Sequence, residues 1–176
     1  MTRNPYRQSS KASYRKGYKA SNSAMEEFGG GKRDIALCSS CGAAYYYKSW
    51  HHNLLHHKNL GTKEEVHVML CPACAMWKAR QWEGELQIAR VPERMKKQVT
   101  HTIFSVADEA YNRDPMHRVF SIEVKRGKIT AYFSENQLAS RTARKIFSSL
   151  KKHFTKPLIH RGKGGDAVLV TMDWMG

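Results

Sequence analysis

Cys38-Ser39-Ser40-Cys41-Gly42 and Leu70-Cys71-Pro72-Ala73-Cys74 contain all four cysteines of this 176-residue chain. Two residues between cysteines let both thiolates of one tight turn face the same ion, and two such turns complete a tetrahedral four-sulfur site. Gly42 follows the first pair, where a tight knuckle needs a residue free to adopt a left-handed backbone. The pattern predicts one structural zinc ion (Zn2+) held by Cys38, Cys41, Cys71 and Cys74, inside a zinc ribbon spanning 35–90. A closed four-sulfur site has no open coordination position, so the metal is expected to shape the chain rather than to catalyse. Two other readings stand beside this one. A disulfide framework does not suit a cytoplasmic protein. A thiol-redox role for Cys71 and Cys74 has local support, because 66–70 reads as a strand and 75–82 as a helix. The second pair argues against it, since a redox dithiol requires no further CxxC.

Between the two pairs lies Trp50-His51-His52-Asn53-Leu54-Leu55-His56-His57. His52 and His56 stand four apart and would share a helical face, which raises a second metal. The run lacks acids, and a polar face able to stack on bases or become cationic at low pH is the plainer meaning. Tyr45, Tyr46, Tyr47, Trp50, Trp77 and Trp82 crowd the same region. A zinc module has no room for a large aliphatic core, so Trp50 and Trp77 are expected to form its small one.

Beyond the cysteines, 91–115 reads as a helix. Pro92 suits its first turn, and Met95, Val99, Ile103, Val106 and Ala110 form an apolar stripe. Alternation around Arg126-Gly127 marks a hairpin over 118–134. Asn136 is expected to cap a second helix, 137–152, with Leu138, Thr142, Ile146 and Leu150 inward and Arg141, Arg144, Lys145, Lys151 and Lys152 outward. Two strands follow at 158–161 and 167–174, joined by a turn containing Lys163-Gly164-Gly165. The two matched triplets Ile103-Phe104-Ser105 and Ile146-Phe147-Ser148 hint at a duplicated unit. The predicted class is α+β, a zinc ribbon followed by a helix–hairpin–helix–hairpin domain over 91–176. Its four-stranded, mainly antiparallel sheet should be covered on one face by two helices.

The net charge is +15, and it is unevenly placed. Residues 1–37 carry eight Lys/Arg against three Asp/Glu, 38–90 six against four, and 91–176 sixteen against eight. Cationic ends around a nearly neutral centre point to a polyanion, because each neutralised phosphate releases counterions. Residues 1–34 are polar and basic, carry Gly29-Gly30-Gly31 near their end, and read as a disordered arm. Tyr6, Tyr14 and Tyr18 alternate there with Arg7, Arg15, Lys16 and Lys19, pairing rings for bases with cations for phosphates. The nucleic-acid candidates are therefore Arg7, Arg15, Lys16 and Lys19 in the arm and Arg141, Arg144, Lys145 and Lys152 on the second helix.

No apolar run approaches the roughly 18 residues of a membrane span, and the basic N-terminus has no apolar stretch behind it. The expected setting is the cytoplasm, with no membrane and no small-molecule substrate. No P-loop-type phosphate cradle, HExxH word or paired carboxylates suggest an enzyme.

Several words of the chain occur together in one known family: Cys38-Ser39-Ser40-Cys41-Gly42-Ala43-Ala44-Tyr45, Trp50, Leu70-Cys71-Pro72-Ala73-Cys74, Gly84-Glu85-Leu86 and Arg118-Val119-Phe120-Ser121-Ile122-Glu123. Leu138-Ala139 opening a basic helix and a closing strand that ends at Trp174 complete the set. Over roughly 33–174 the chain resembles small bacterial proteins related to the zinc-binding N-terminal part of the adaptor for export of the large ribosomal subunit (the Nmd-three family). The resemblance implies zinc at the four cysteines and contact with ribosomal RNA, the large subunit or ribosomal proteins. The histidine run and the tyrosine-rich arm depart from that family. A DNA-binding regulator, a thiol-redox protein and an adaptor offering a sheet edge remain as alternatives.

Overall fold

The computed structural model describes residues 35–55, 66–162 and 167–176. The expected arm, with Arg7, Arg15, Lys16 and Lys19, lies outside the described residues, as do His56, His57 and the turn expected at Lys163-Gly164-Gly165.

Two sheets and three helices make up the fold. The first sheet contains β1 (Ile35–Cys38), β2 (Ala44–Tyr46), β3 (Ser49–His51) and β4 (Val66–Met69), in the order β3-β2-β1-β4. β1 pairs antiparallel with β2 and parallel with β4. Tyr47 and Lys48 join β2 to β3 with positive φ at both positions (51° and 67°). That is the signature of a two-residue hairpin turn whose twist matches its strands. α1 (Pro72–Lys78) then starts directly from Cys71, with Pro72 in its first turn, where a missing N–H costs nothing.

The second sheet contains β5 (Gly84–Ala89), β6 (Val119–Lys125), β7 (Lys128–Phe133), β8 (Leu158–Arg161) and β9 (Val168–Asp173), in the order β6-β7-β5-β9-β8. It differs from the sequence expectation in two ways. It has five strands, and it is mixed rather than mainly antiparallel, because β5 and β9 run parallel at its centre. The fifth strand is β5, which sequence reading placed with the ribbon. Leu86 and Ile88 of β5 are fully buried between Ala131 and Ile129 of β7 and Val170 and Met172 of β9. A short run with apolar residues at alternate positions carries no mark of which sheet it joins, and here the larger core takes it.

α2 (Glu93–Arg113) and α3 (Asn136–Ser149) cover one face of that sheet. Val99, Ile103, Val106 and Ala110 of α2 and Leu138, Ala139, Ala143 and Ile146 of α3 bury against Leu86, Ile88, Ile129, Ala131, Phe133, Val170 and Met172. The period of 3.6 on the helices and of 2 on the strands explains why these residues, and not their neighbours, meet. α3 ends at Ser149, three residues earlier than expected, and Lys152 sits in the turn beyond it. Its N-cap position is Glu135 rather than Asn136, with no side-chain cap. No helix among the described residues is long and apolar enough to cross a membrane.

Candidate metal centre

Cys38 closes β1, Cys41 ends the turn after it, and Cys71 and Cys74 lie in the turn that opens α1. The parallel pairing of β1 with β4 sets Cys38 beside Met69 and so brings the second pair to the first. Backbone bonds hold both turns. Gly42 N donates to Cys38 O at 2.9 Å, Cys38 N to Ala43 O at 2.8 Å, Ser39 N to Met69 O at 2.9 Å and Ala75 N to Cys71 O at 2.9 Å. Gly42 adopts φ 74°, the left-handed conformation the first knuckle requires.

The four sulfurs lie within 4.8 Å of one another, and those of Cys41 and Cys71 are 3.8 Å apart. Metal–sulfur bonds near 2.3 Å in a tetrahedron place sulfurs about 3.8 Å apart. All four cysteines are free thiols, and none is joined by a disulfide. Backbone N–H groups point at the sulfurs: Cys71 N to Cys38 Sγ at 3.3 Å and Cys74 N to Cys71 Sγ at 3.4 Å. Such donors stabilise thiolates, the form a metal binds. The four cysteines are thus arranged to hold one metal ion, with no further ligand in the cluster among the described residues.

The protonation states divide in a way that suits a cation. Burial alone would push the Cys38 thiol up, but backbone N–H groups of Cys71, Cys41 and Ser40 outweigh it and bring it down to about 6. Burial pushes the Cys71 thiol far up and raises Cys74 as well. Closely spaced thiols resist joint ionisation until a cation compensates them.

One cation is built in. Arg118 places Nη2 3.1 Å from Cys41 Sγ and 3.9 Å from Cys71 Sγ, and Nη1 3.4 Å from Cys74 Sγ. Its Nε donates to Pro115 O at 2.6 Å, and its guanidinium lies 5.3 Å from the Tyr111 ring centroid. Ser134 fixes the backbone on which it stands: Arg118 N donates to Ser134 Oγ at 2.8 Å, and Ser134 Oγ donates to Met116 O at 2.7 Å. Burial works against the charge of Arg118, but the cysteine sulfurs outweigh it and hold the guanidinium above its ordinary pKa. Four thiolates around a divalent ion carry a net charge of about −2, and a planar, permanently charged fork is suited to offset part of it. Sequence reading missed this role. Arg118 opens one of the words shared with the resembling family, but no spacing rule links it to cysteines on another sheet.

The second sheet also covers the site. Val119 pairs with Phe133 and Ser121 with Tyr132, so Phe120 is left out of the ladder in a bulge. Phe120 and Met116 pack against the cysteine cluster, and the Phe120 ring stacks on Trp77 with centroids 5.4 Å apart. Trp77 is 47% exposed, so it lies on this junction and not in a ribbon core as expected. Trp50 does pack against the cluster, tilted on Tyr45. His51 and His52 are engaged elsewhere. His51 bonds Ser49 Oγ and Tyr46 O, while His52 bonds Tyr111 O at 2.6 Å and meets its ring edge-on. Among the described residues the four cysteines are the only cluster arranged for a metal.

Arg141, Arg144 and Lys145 are exposed on α3, on the side away from its buried stripe, and Lys152 is exposed in the turn beyond. Arg141 and Arg144 line a cleft formed with the end of α2 and with β8, where Arg113 and Arg161 join them. Comparison of the chain with protein-family models, with curated proteins and with solved structures finds no match.

Proposed function

We propose that this chain is a zinc-ribbon RNA-binding protein that works in the cytoplasm on ribosomal RNA or the large ribosomal subunit. The observation that carries the reading is the closed four-cysteine cage in a chain of net charge +15. A four-sulfur site gives shape and no open position for catalysis, and zinc is the metal such sites ordinarily hold in compact ribbons. The cationic surface supplies the attraction for phosphate, and the resemblance described above names ribosomal RNA as its source. The reading assigns no catalytic step to the chain.

Elemental analysis of anaerobically purified protein should find one zinc per chain. Sedimentation of lysate should carry the protein with the large subunit at low salt. With about six phosphates neutralised on single-stranded RNA, log K should fall with log salt at a slope near −4. A salt-independent affinity, or failure to co-migrate with any ribosomal particle, sinks the proposal.

The position of Cys71 at the N-cap of α1 favours a second reading, thiol–disulfide exchange. Against it, burial raises the Cys71 thiol, whereas an attacking cysteine needs a lowered one. Turnover of a disulfide substrate by metal-free protein would decide for this alternative.

A further inference from the structure

The cleft beside α3 has a volume of about 780 Å³, within the range of about 300–1,000 Å³ of ordinary ligand sites. One wall is α3. Gln137, Ser140, Arg141 and Arg144 follow one another at three-, one- and three-residue steps, covering about 10 Å of helix axis at 1.5 Å per residue. The facing wall is β8, whose Ile159 and Arg161 stand two apart and so point to the same side. β8 is the outer strand of the sheet, with β9 on one side only. The third side is the end of α2, with Arg113, Asp114 and His117.

The charges are sorted by engagement. Arg113 already pairs with Glu109 on its own helix. His117 Nε2 lies 3.8 Å from Asp114 Oδ2 and 3.7 Å from Glu135 Oε2, so the two carboxylates share one imidazole. Arg141, Arg144 and Arg161 make no ion pair among the described residues. Three free guanidinium forks on two facing walls call for several anionic groups in a row, because each fork matches a phosphate bidentately. The carboxylates contribute only if the same ligand also carries hydrogen-bond donors. A ribose 2′-hydroxyl and the amino edges of bases are such donors, and the hydroxyl is what separates RNA from DNA. A duplex is too wide to enter a cleft of this volume, whereas a single strand can lie in it.

We propose that this cleft binds the backbone of single-stranded RNA, with phosphates on Arg141, Arg144 and Arg161 and a ribose hydroxyl or base donor at Glu135. The assignment rests on the RNA-binding reading above. It adds Arg161 and Glu135, which sequence reading did not select, and places about half of the phosphate contacts in this cleft.

The test is fluorescence anisotropy of the full-length, metal-loaded protein with labelled oligouridylate, over a range of salt. Arg141→Gln, Arg144→Gln and Arg161→Gln combined should weaken binding by about tenfold or more and flatten the log–log salt slope by about 2, from three lost contacts of about 0.7 each. These side chains are exposed, so unchanged circular dichroism and metal content are expected and are checked alongside. Lys125→Gln, Arg126→Gln and Lys128→Gln combined, an equal charge change on the opposite edge of the sheet, should alter neither reading beyond about twofold. Glu135→Gln should narrow the preference for oligouridylate over oligodeoxyuridylate. If both triple variants weaken binding equally, the contact is diffuse and the cleft assignment falls while RNA binding stands. Native protein that binds no RNA overturns the function and the cleft together. Equal native affinity for the ribose and deoxyribose strands removes the role of Glu135, and displacement of the strand by uridine monophosphate at equal phosphate concentration shows a small-molecule site instead.

Discussion

The guanidinium of Arg118 stands 3.1 Å from the sulfur of Cys41, 77 positions earlier in the chain. A residue at the mouth of one sheet thereby offsets part of the charge of a cage built on the other. The candidate metal site is therefore shared between the two sheets.

Replacing Arg118 should loosen the metal. Arg118→Ala should lower metal affinity by about 10–100-fold, the usual effect of removing a group that orients or compensates the ligands. Arg118→Lys should recover only part of the loss, because a compact ammonium does not reproduce the planar fork that spreads its N–H groups over three sulfurs. Chelator competition measures both. An Arg118→Ala protein that holds its metal as tightly as the native chain would show the contact to be incidental.

Metal removal should loosen one sheet and spare the other. With a chelator present, amide exchange in β1–β4 and α1 should speed by about tenfold or more, while β5, β7 and β9 change by less than about twofold. The difference follows from the cores. The large sheet buries Leu86, Ile129, Phe133 and Val170 completely, whereas the small sheet and α1 bury mainly small residues and the cysteines, among them Ala36, Cys38, Ala43, Ala44, Cys71 and Ala73. Uniform loosening of both sheets would contradict the separation.

Affinity for the metal should rise steeply with pH. Cys71 and Cys74, raised by burial, hold their protons through neutrality and must release them to bind, while Cys38, down at about 6, is already a thiolate. Each proton displaced contributes about one decade of apparent affinity per pH unit, so at least two decades per unit are expected between about pH 6.5 and 8. Cys38 adds to the slope only as pH falls through about 6. Calorimetry in buffers of different ionisation enthalpy counts the protons released. One proton or fewer at neutrality would show that burial does not hold both thiols protonated.

Gly84→Ala tests the seating of α3 on the sheet. A Cβ at Gly84 would come within 2.7 Å of Glu135 O and 2.8 Å of Ala139 Cβ, and the first of these is backbone. The helix start must shift, at a cost of about 1–3 kcal/mol typical of overpacking. Denaturant titration reads the loss, and a midpoint equal to the native one would mean that α3 is free to move.

Some features were legible in sequence because the chemistry enforces short spacing. Two cysteines must lie close in the chain to share a turn, and Gly42 must follow where φ turns positive, so the cage was readable residue by residue. The inward stripes of α2 and α3, from Val99 to Ala110 and from Leu138 to Ile146, were readable because burial imprints a helical period. Arg126-Gly127 announced a turn between two alternating runs, and positive φ at both residues follows.

Other features depended on partners the local pattern does not name. β5 reads the same whether it ends a ribbon or centres a sheet, and only the competition for apolar area put it between β7 and β9. The bulge at Phe120, the stacking of Trp77 and the fork of Arg118 over the sulfurs arise where two independently patterned sheets meet. Local sequence determined the ligands and the faces, because those obey periods of two to four residues. Tertiary structure alone decided which faces met and which cation answered the cage, because those contacts join residues dozens of positions apart with no period to mark them.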